Sequence, residues 1–264
     1  MTRSVLWNFT SAGDYALYDS SVSGGLGRLV AVNETTGENS TAQYLLGTGT
    51  NLELQAVPDS MMIDNASLPV RNITLQPGPE GIDNYLDEWF PYWTPPEGGD
   101  LVLNSQYDPN PASSKRCSIV MQFNLSDVSA DAVVKKATLH LYEKPSRAQV
   151  VDYTIHAITS SWAEDGVSWR TRTSLSSWGS VGGDFSAEPF SWGTIDGASG
   201  WHTFDLTRLV DHWLRNTTPS TTPNIGFIIV PKPALGDAQK TFVDCEITNR
   251  PEQRPKLDIN YTLG

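Results

Sequence analysis

The feature that most constrains this chain is its punctuation. Short apolar or alternating runs recur at 15–18, 27–32, 43–46, 52–57, 101–104, 118–123, 137–142, 153–159, 225–230, 241–247 and 256–261, and Gly, Asn, Asp or Pro cuts each one off. Runs this short bury too little to stand as helices, and regular short strands with turn signals between them predict a sandwich or jelly roll. In 137–142 the residues Ala137, Leu139 and Leu141 share a face, and in 256–261 Leu257, Ile259 and Tyr261 do the same, so each strand has one core face and one wet face. A single segment breaks the pattern. From Asp205 to Arg215 the apolar positions 206, 209, 210, 213 and 214 follow helical spacing, with Asp205 placed to accept the orphan amides and Arg215 at the favourable end of the dipole. This helix is expected to cap an open end of the sandwich. The fold class is therefore all-β: a jelly-roll-like antiparallel β-sandwich with one short capping helix at about 205–215 and an N-terminal β-rich extension.

Two prolines and two glycines in 76–81 mark the expected internal boundary. Residues 1–78 then form a small β domain, or strands joining the main sheets, or an arm pairing with a neighbouring copy. Residues 79–264 form the sandwich. Charge divides near the same region: residues 1–114 hold three Arg, no Lys and fourteen carboxylates, net −11, whereas 115–264 hold fifteen basic and sixteen acidic groups, net −1. The total of −12 speaks against binding a nucleic-acid backbone, which needs a basic surface. An acidic half keeps a loop-rich segment soluble, and it also offers oxygen ligands or a surface for a basic partner. No stretch reaches the length of a membrane helix, and residues 1–30 lack the pattern of a signal peptide.

Of fourteen Asn, eight open an Asn-x-Ser/Thr triplet: Asn8, Asn33, Asn39, Asn65, Asn72, Asn124, Asn216 and Asn260. With 50 Ser plus Thr among 264 residues, chance gives about three. The excess predicts N-glycosylation, hence an extracellular or cell-surface protein of archaeal or eukaryotic type. The alternative localisation is a virion, whose component would need no leader.

A series of ordered pieces resembles a known family. They are 83–87 (Asp-Asn-Tyr-Leu-Asp), Arg116 to Phe123 followed by Asn124-Leu-Ser126, the run 137–142, Trp162-Ala-Glu164 with Val167-Ser-Trp169, and Phe204-Asp-Leu-Thr207 with Leu209, Val210 and Trp213. Asn224-Ile-Gly-Phe227, Cys245-Glu246, and Arg254-Pro-Lys-Leu257 with Tyr261 complete the set. Over about residues 81–262 the chain is similar to the DNRLRE domain, or disaggregatase-related repeat, a family linked to carbohydrate-binding modules. The resemblance implies a jelly-roll-like sandwich serving as a non-catalytic module of large surface proteins, and in some cases of phage structural proteins. Asn124 stands where the family usually has Asp, and it creates a sequon.

Chemistry-bearing residues are sparse. The histidines 140, 156, 202 and 212 show no metal-protease spacing, no nucleophile elbow is present, and Gly24-Gly-Leu-Gly27 lacks a phosphate-loop lysine. Glu164 and Asp165 are adjacent carboxylates, poorly placed to flank one glycosidic bond. The chain is expected not to be an enzyme. Aromatic side chains are more informative, because sugar rings stack on exposed π faces. Trp89, Tyr92 and Trp93, on a proline-bounded loop, are the leading carbohydrate-binding candidates, with Trp178 and Trp192, and Trp201 near them, as a second group. The same loop could instead plug the sandwich end or a subunit contact. Asp83, Asp87 and Asp100, with Asp108 nearby, are oxygen ligands suited to a structural Ca²⁺, although they match no EF-hand spacing; no other cofactor is expected. Cys117 and Cys245 are expected in strands, as a disulfide if those strands are neighbours and as two buried thiols if not. Expected partners are copies of the chain or other surface proteins, with a polysaccharide as a further candidate. The leading function is a glycosylated, self-assembling structural protein of the cell surface; a carbohydrate-binding adhesin module and a virion tail or capsid decoration protein are the alternatives.

Overall fold

The computed structural model describes three strands near the N-terminus by their backbone, and residues 70–263 apart from 107, 109–112, 130, 146–148, 197–198, 216–222 and 235–237. The chain divides into two compact units, Met1–Ser67 and Leu68–Gly264. In the first, β1 (Tyr15–Ser21), β2 (Leu26–Asn33) and β3 (Asn39–Leu45) form an antiparallel meander with β2 in the centre. The expected strand at 52–57 and the sequons Asn8, Asn65 and Asn216 lie outside the described residues.

The second unit is an antiparallel β-sandwich. One sheet runs β5 (Ile82–Asp87), β7 (Cys117–Gln122), β14 (Phe227–Pro231), β9 (Val151–Ala157), β12 (Ser191–Ile195). The other runs β4 (Arg71–Leu75), β16 (Lys256–Leu263), β8 (Ala132–Glu143), β13 (Gly200–Asp205). A pair of short strands, β6 (Leu101–Asn104) and β15 (Gln239–Phe242), closes one seam: β6 reaches β7 through Asn104 and Cys117, and β15 reaches β8 through Phe242 and Glu143. A small hairpin, β10 (Thr171–Thr173) and β11 (Ser176–Ser177), lies in the long excursion after β9.

Alternation along the strands builds the core. Ile119, Met121, Phe227, Ile229, Tyr153 and Ile155 from the first sheet share one buried cluster with Ala137, Leu139, Leu141, Leu257, Ile259 and Phe204 from the second. The rings of Tyr153 and Phe204 meet across it at 4.9 Å between centroids. The helix α1 (Thr207–Arg215) adds Leu209, Val210 and Trp213 to the same cluster. It begins at Thr207 rather than at about 205, because Asp205 stays in β13 and caps from outside, its Oδ1 accepting the Thr207 amide at 2.8 Å.

The residues of opposite parity are buried too. Val120, Ile228 and Leu86 form a second cluster with Ile158, Val167, Trp169 and Trp178, all supplied by the excursion after β9 as it folds over the outer face of the first sheet. Gly226 fits this crowding: its φ is +99°, and a Cβ there would lie 2.6 Å from the Met121 carbonyl oxygen. That left-handed backbone and close approach admit glycine alone.

Three sequence expectations are corrected. The boundary expected at 78/79 lies too late, since β4 pairs with β16 from Leu75↔Leu257 to Arg71↔Tyr261 and so belongs to the sandwich. Between the runs at 153–159 and 225–230 the sequence predicts no strand, yet β12 and β13 lie there. Cys245 sits in a turn after β15 rather than in a strand, and both cysteines are buried free thiols rather than a disulfide. Cys117 opens β7 opposite Asp87, whereas Cys245 abuts Gly81, where an added Cβ would lie 2.6 Å from its Sγ.

Candidate functional site

The loop between β5 and β6 is rigidly mounted yet turns its rings to solvent. Asp87 Oδ1 accepts the amides of Trp89 and Phe90 at 2.8 and 3.4 Å, and the Trp93 amide donates to the Phe90 carbonyl at 3.0 Å. The Pro91 carbonyl accepts from Ser168 Oγ and from the Arg170 amide, both at 3.0 Å. Arg116 grips Glu88 with two bonds, 2.8 and 2.7 Å. Burial opposes ionisation of Glu88, but this bidentate pair outweighs it and holds the carboxyl below its usual range. So anchored, the loop leaves Trp89, Phe90, Tyr92 and Trp93 exposed by 43, 55, 73 and 44%. Lys115 stands 5.0 Å from the Trp89 ring and Arg170 5.7 Å from that of Tyr92, so cations already occupy part of this π surface.

Beside the loop runs an open groove of about 380 Å³, lined by Tyr85, Trp93, Pro95, Pro96, Gly99 and Asp100 from the β5–β6 segment and by Val102, Gln239 and Thr241 from β6 and β15. The edge of the Tyr85 ring meets Trp93 at 6.1 Å between centroids. Asp100 pairs with Lys144. Strand alternation orients the β15 wall: Gln239 and Thr241 face the groove, while Lys240 and Phe242 point inward and are fully buried. Lys240 Nζ there meets both oxygens of the buried Glu143 at 3.1 and 3.2 Å.

Across the 95–100 loop lies an acidic recess, and Pro95, Pro96, Gly99 and Asp100 border both it and the groove. Asp83, Glu164 and Glu246 each bring one carboxylate oxygen to within 4.8 Å of the others. They come from β5, from a single 3₁₀ turn at Glu164–Gly166 and from the turn after β15. Asp83 is 4% exposed; its Oδ2 accepts the Cys245 amide at 3.2 Å, and its Oδ1 is buried with no hydrogen-bond partner. Glu164 Oε1 accepts the Asp83 amide at 3.0 Å. Asn84 secures the surroundings, its side-chain amide donating to the Pro95 and Glu164 carbonyls at 3.2 Å each. Burial pushes all three carboxyls upward, and neighbouring carboxylates add to it: Asp83 to about 7, Glu164 to about 6 and Glu246 to about 8. Asp244, also bordering the recess, is raised by burial as well.

Of the Ca²⁺ candidates read from the sequence, Asp83 belongs to this cluster and Asp100 lines the recess, whereas Asp87 is committed to capping the aromatic loop. The sequence does not single out Glu164, Asp244 or Glu246 as metal ligands, because they lie some 80 residues or more from Asp83 in the chain; Glu164 is weighed there only as a neighbour of Asp165, and the family pieces 162–164 and 245–246 contain two of the three.

Trp178 is corrected as a sugar platform. It is 6% exposed, and its Nε1 donates to the Ser168 carbonyl at 2.9 Å inside the second core. Trp192 on β12 and Trp201 on β13 are 63 and 42% exposed, on strands rather than on the aromatic loop. Trp201 stacks edgewise on Tyr142 at 5.4 Å, with Lys256 4.9 Å from its ring. The four histidines do not converge: His140 meets Asp258 at 2.9 Å, His202 meets Glu143 at 2.6 Å, His156 bonds Ser186 and Thr154, and His212 stacks on Phe190. Asn72 and Asn124 are exposed, and Asn260 is half-buried directly opposite Asn72. Asn33 ends β2 and Asn39 opens β3, and their side chains lie outside the described residues. Among the described residues no helix is long and apolar enough to cross a membrane.

No curated protein matches the chain. A family model, that of the disaggregatase related repeat domain, matches residues 101–259. The match runs from β6 into β16 and takes in most of both sheets, the helix and the excursion over the second core. β4, β5 and the aromatic loop precede it in the chain, yet β5 is hydrogen-bonded to β7 along its whole length. With more than half of its length matched and the sandwich expected of it in place, the chain belongs to the disaggregatase-related repeat family.

Proposed function

We propose that this protein is a non-catalytic structural glycoprotein of the cell surface or extracellular space whose sandwich unit holds a polysaccharide at the aromatic loop and its groove. The observation that carries the reading is the loop itself: four large rings on a braced backbone, each more than two-fifths exposed. A contiguous exposed apolar patch of this kind marks a binding surface, and aromatic faces meet the C–H groups of sugar rings well. Asp100, Gln239 and Thr241 supply donors and acceptors for hydroxyls along the groove. The eight sequons support surface display.

A glycan array with the full chain tests this, with Trp89→Ala and Trp93→Ala as controls. Binding to a polysaccharide that both substitutions abolish is the expected result. Absence of binding, or binding indifferent to both changes, removes the carbohydrate reading. A second reading, in which the chain chiefly assembles with copies of itself through residues 1–78, is favoured by the separate β-meander at the N-terminus. It predicts large assemblies that dissociate when residues 1–67 are deleted, and a monodisperse full-length monomer in light scattering counts against it. Intact-mass spectrometry of native material separates a surface glycoprotein from a virion component, since unmodified sequons favour the latter.

A further inference from the structure

The acidic recess carries a proposal that does not depend on the carbohydrate reading. Three carboxylates drawn from segments far apart in sequence bring one oxygen each to within 4.8 Å of the others. Oxygens that coordinate one Ca²⁺ sit about 2.3–2.6 Å from it and therefore fall within about 5 Å of each other. An acidic cluster alone would mean little. Here the most buried member, Asp83, is 4% exposed and leaves its Oδ1 with no hydrogen-bond partner, an unfavourable state for a buried polar atom. The charges that act on Asp83, Glu164 and Glu246 come from one another and from Asp244, Glu97 and Asp165, all carboxylates. The recess bounded by Asp83, Asp244 and Glu246 holds about 10 Å³, room for a single water-sized or ion-sized occupant.

We propose that Asp83, Glu164 and Glu246 form a Ca²⁺ site, with Asp244 at its border and water completing the coordination from the open side. All three donors are hard carboxylate oxygens, with no imidazole or thiolate among them, which selects Ca²⁺ over zinc or copper. The ion supplies the partner that Asp83 Oδ1 lacks. It also ties β5, the turn at 164–166 and the turn at 244–246 to one point beneath the 95–100 loop.

The test uses the full chain, stripped with EDTA and titrated with CaCl₂ by calorimetry and by thermal denaturation. The expected result is one ion bound to the sandwich with Kd of about 10⁻⁴ M or tighter. At a hundredfold excess over Kd, the melting temperature of the sandwich should rise by about 5–10 °C. Glu164→Gln and Glu246→Gln alter half-buried side chains and should leave the fold intact, each weakening binding at least about tenfold. Asp127→Asn, at an exposed residue outside the cluster, should bind as the parent does. No heat and no thermal shift at millimolar CaCl₂ would overturn the proposal. An unchanged shift in both Glu variants would overturn it equally, placing the ion elsewhere on the chain.

Discussion

Lys240→Met is the sharpest test of how the groove wall is held. Lys240 and Glu143 are both 0% exposed by side chain, and the ammonium meets both carboxylate oxygens at 3.1 and 3.2 Å. The pair fastens β15, whose outward residues Gln239 and Thr241 wall the groove, to β8, beside the backbone pairing of Phe242 with Glu143. Replacing Lys240 alone leaves the buried Glu143 carboxylate without its ammonium, with the His202 imidazole 2.6 Å away. Breaking one partner of a buried pair costs about 3–5 kcal/mol, a large share of the roughly 5–15 kcal/mol that a folded domain has in total. Replacing both partners at once removes the stranded charge: Lys240→Met with Glu143→Gln keeps a polar group for His202 and should recover most of the loss, to within about 1 kcal/mol of the parent. The assay is urea unfolding followed by tryptophan fluorescence, which reports the sandwich because eight of the nine Trp lie beyond residue 67. A single variant within about 0.5 kcal/mol of the parent, or a double variant as unstable as the single, would refute the argument that burial of an uncompensated charge dominates here.

Four further outcomes follow from the fold. Burial holds His156 below its ordinary pKa, and the bond its Nδ1 donates to the Ser186 carbonyl at 2.7 Å and the nearby Glu188 oppose the shift only in part, while Nε2 meets Thr154 Oγ1. The folded state therefore binds the proton less readily than the unfolded chain, so His156 contributes full stability above about pH 6.5 and loses it as pH falls toward the folded-state value; His156→Gln should flatten that acid limb in pH-dependent melting. Gly226→Ala, forced to φ +99° with a Cβ 2.6 Å from the Met121 oxygen, should destabilise by about 2 kcal/mol or more in the same unfolding assay. Trp178→Ala should cost about 3–5 kcal/mol yet leave glycan affinity unchanged once folded, whereas Tyr92→Ala should do the reverse, which equilibrium unfolding beside the glycan array separates. Cys117 and Cys245, buried and with thiol pKa values pushed up by that burial, should resist Ellman's reagent in the native state, react fully in urea, and give one electrophoretic mobility with or without reductant.

Much of the sandwich was legible because strand burial has a two-residue period. Ala137, Leu139 and Leu141, like Leu257, Ile259 and Tyr261, declare their core face in the sequence, and all six are buried in the main cluster. The helix was equally plain. Two strands are not legible: β13 reads Gly-Trp-His-Thr-Phe-Asp and does not alternate in polarity, and β4, Arg-Asn-Ile-Thr-Leu, is short and separated by the Pro-Gly turn after it from the rest of the sandwich sequence. For the aromatic loop, the residue types were legible but not their exposure. Trp89, Trp93 and Trp178 look alike in sequence; Asp87 and Pro91 brace the first two outward, while the excursion after β9 buries the third.

The sequence by itself determined the class of fold, the capping helix, the family pieces, the eight sequons and the concentration of acid in residues 1–114, because each depends on local period or composition. Only the tertiary structure decided which carboxylates meet. Asp83, Glu164 and Glu246 are placed by strand pairing and by the folding of an excursion onto the sheet, and proximity across such distances leaves no periodic trace in the chain. The same holds for the cysteines: their separation into two buried thiols follows from where β7 begins and where the turn after β15 falls.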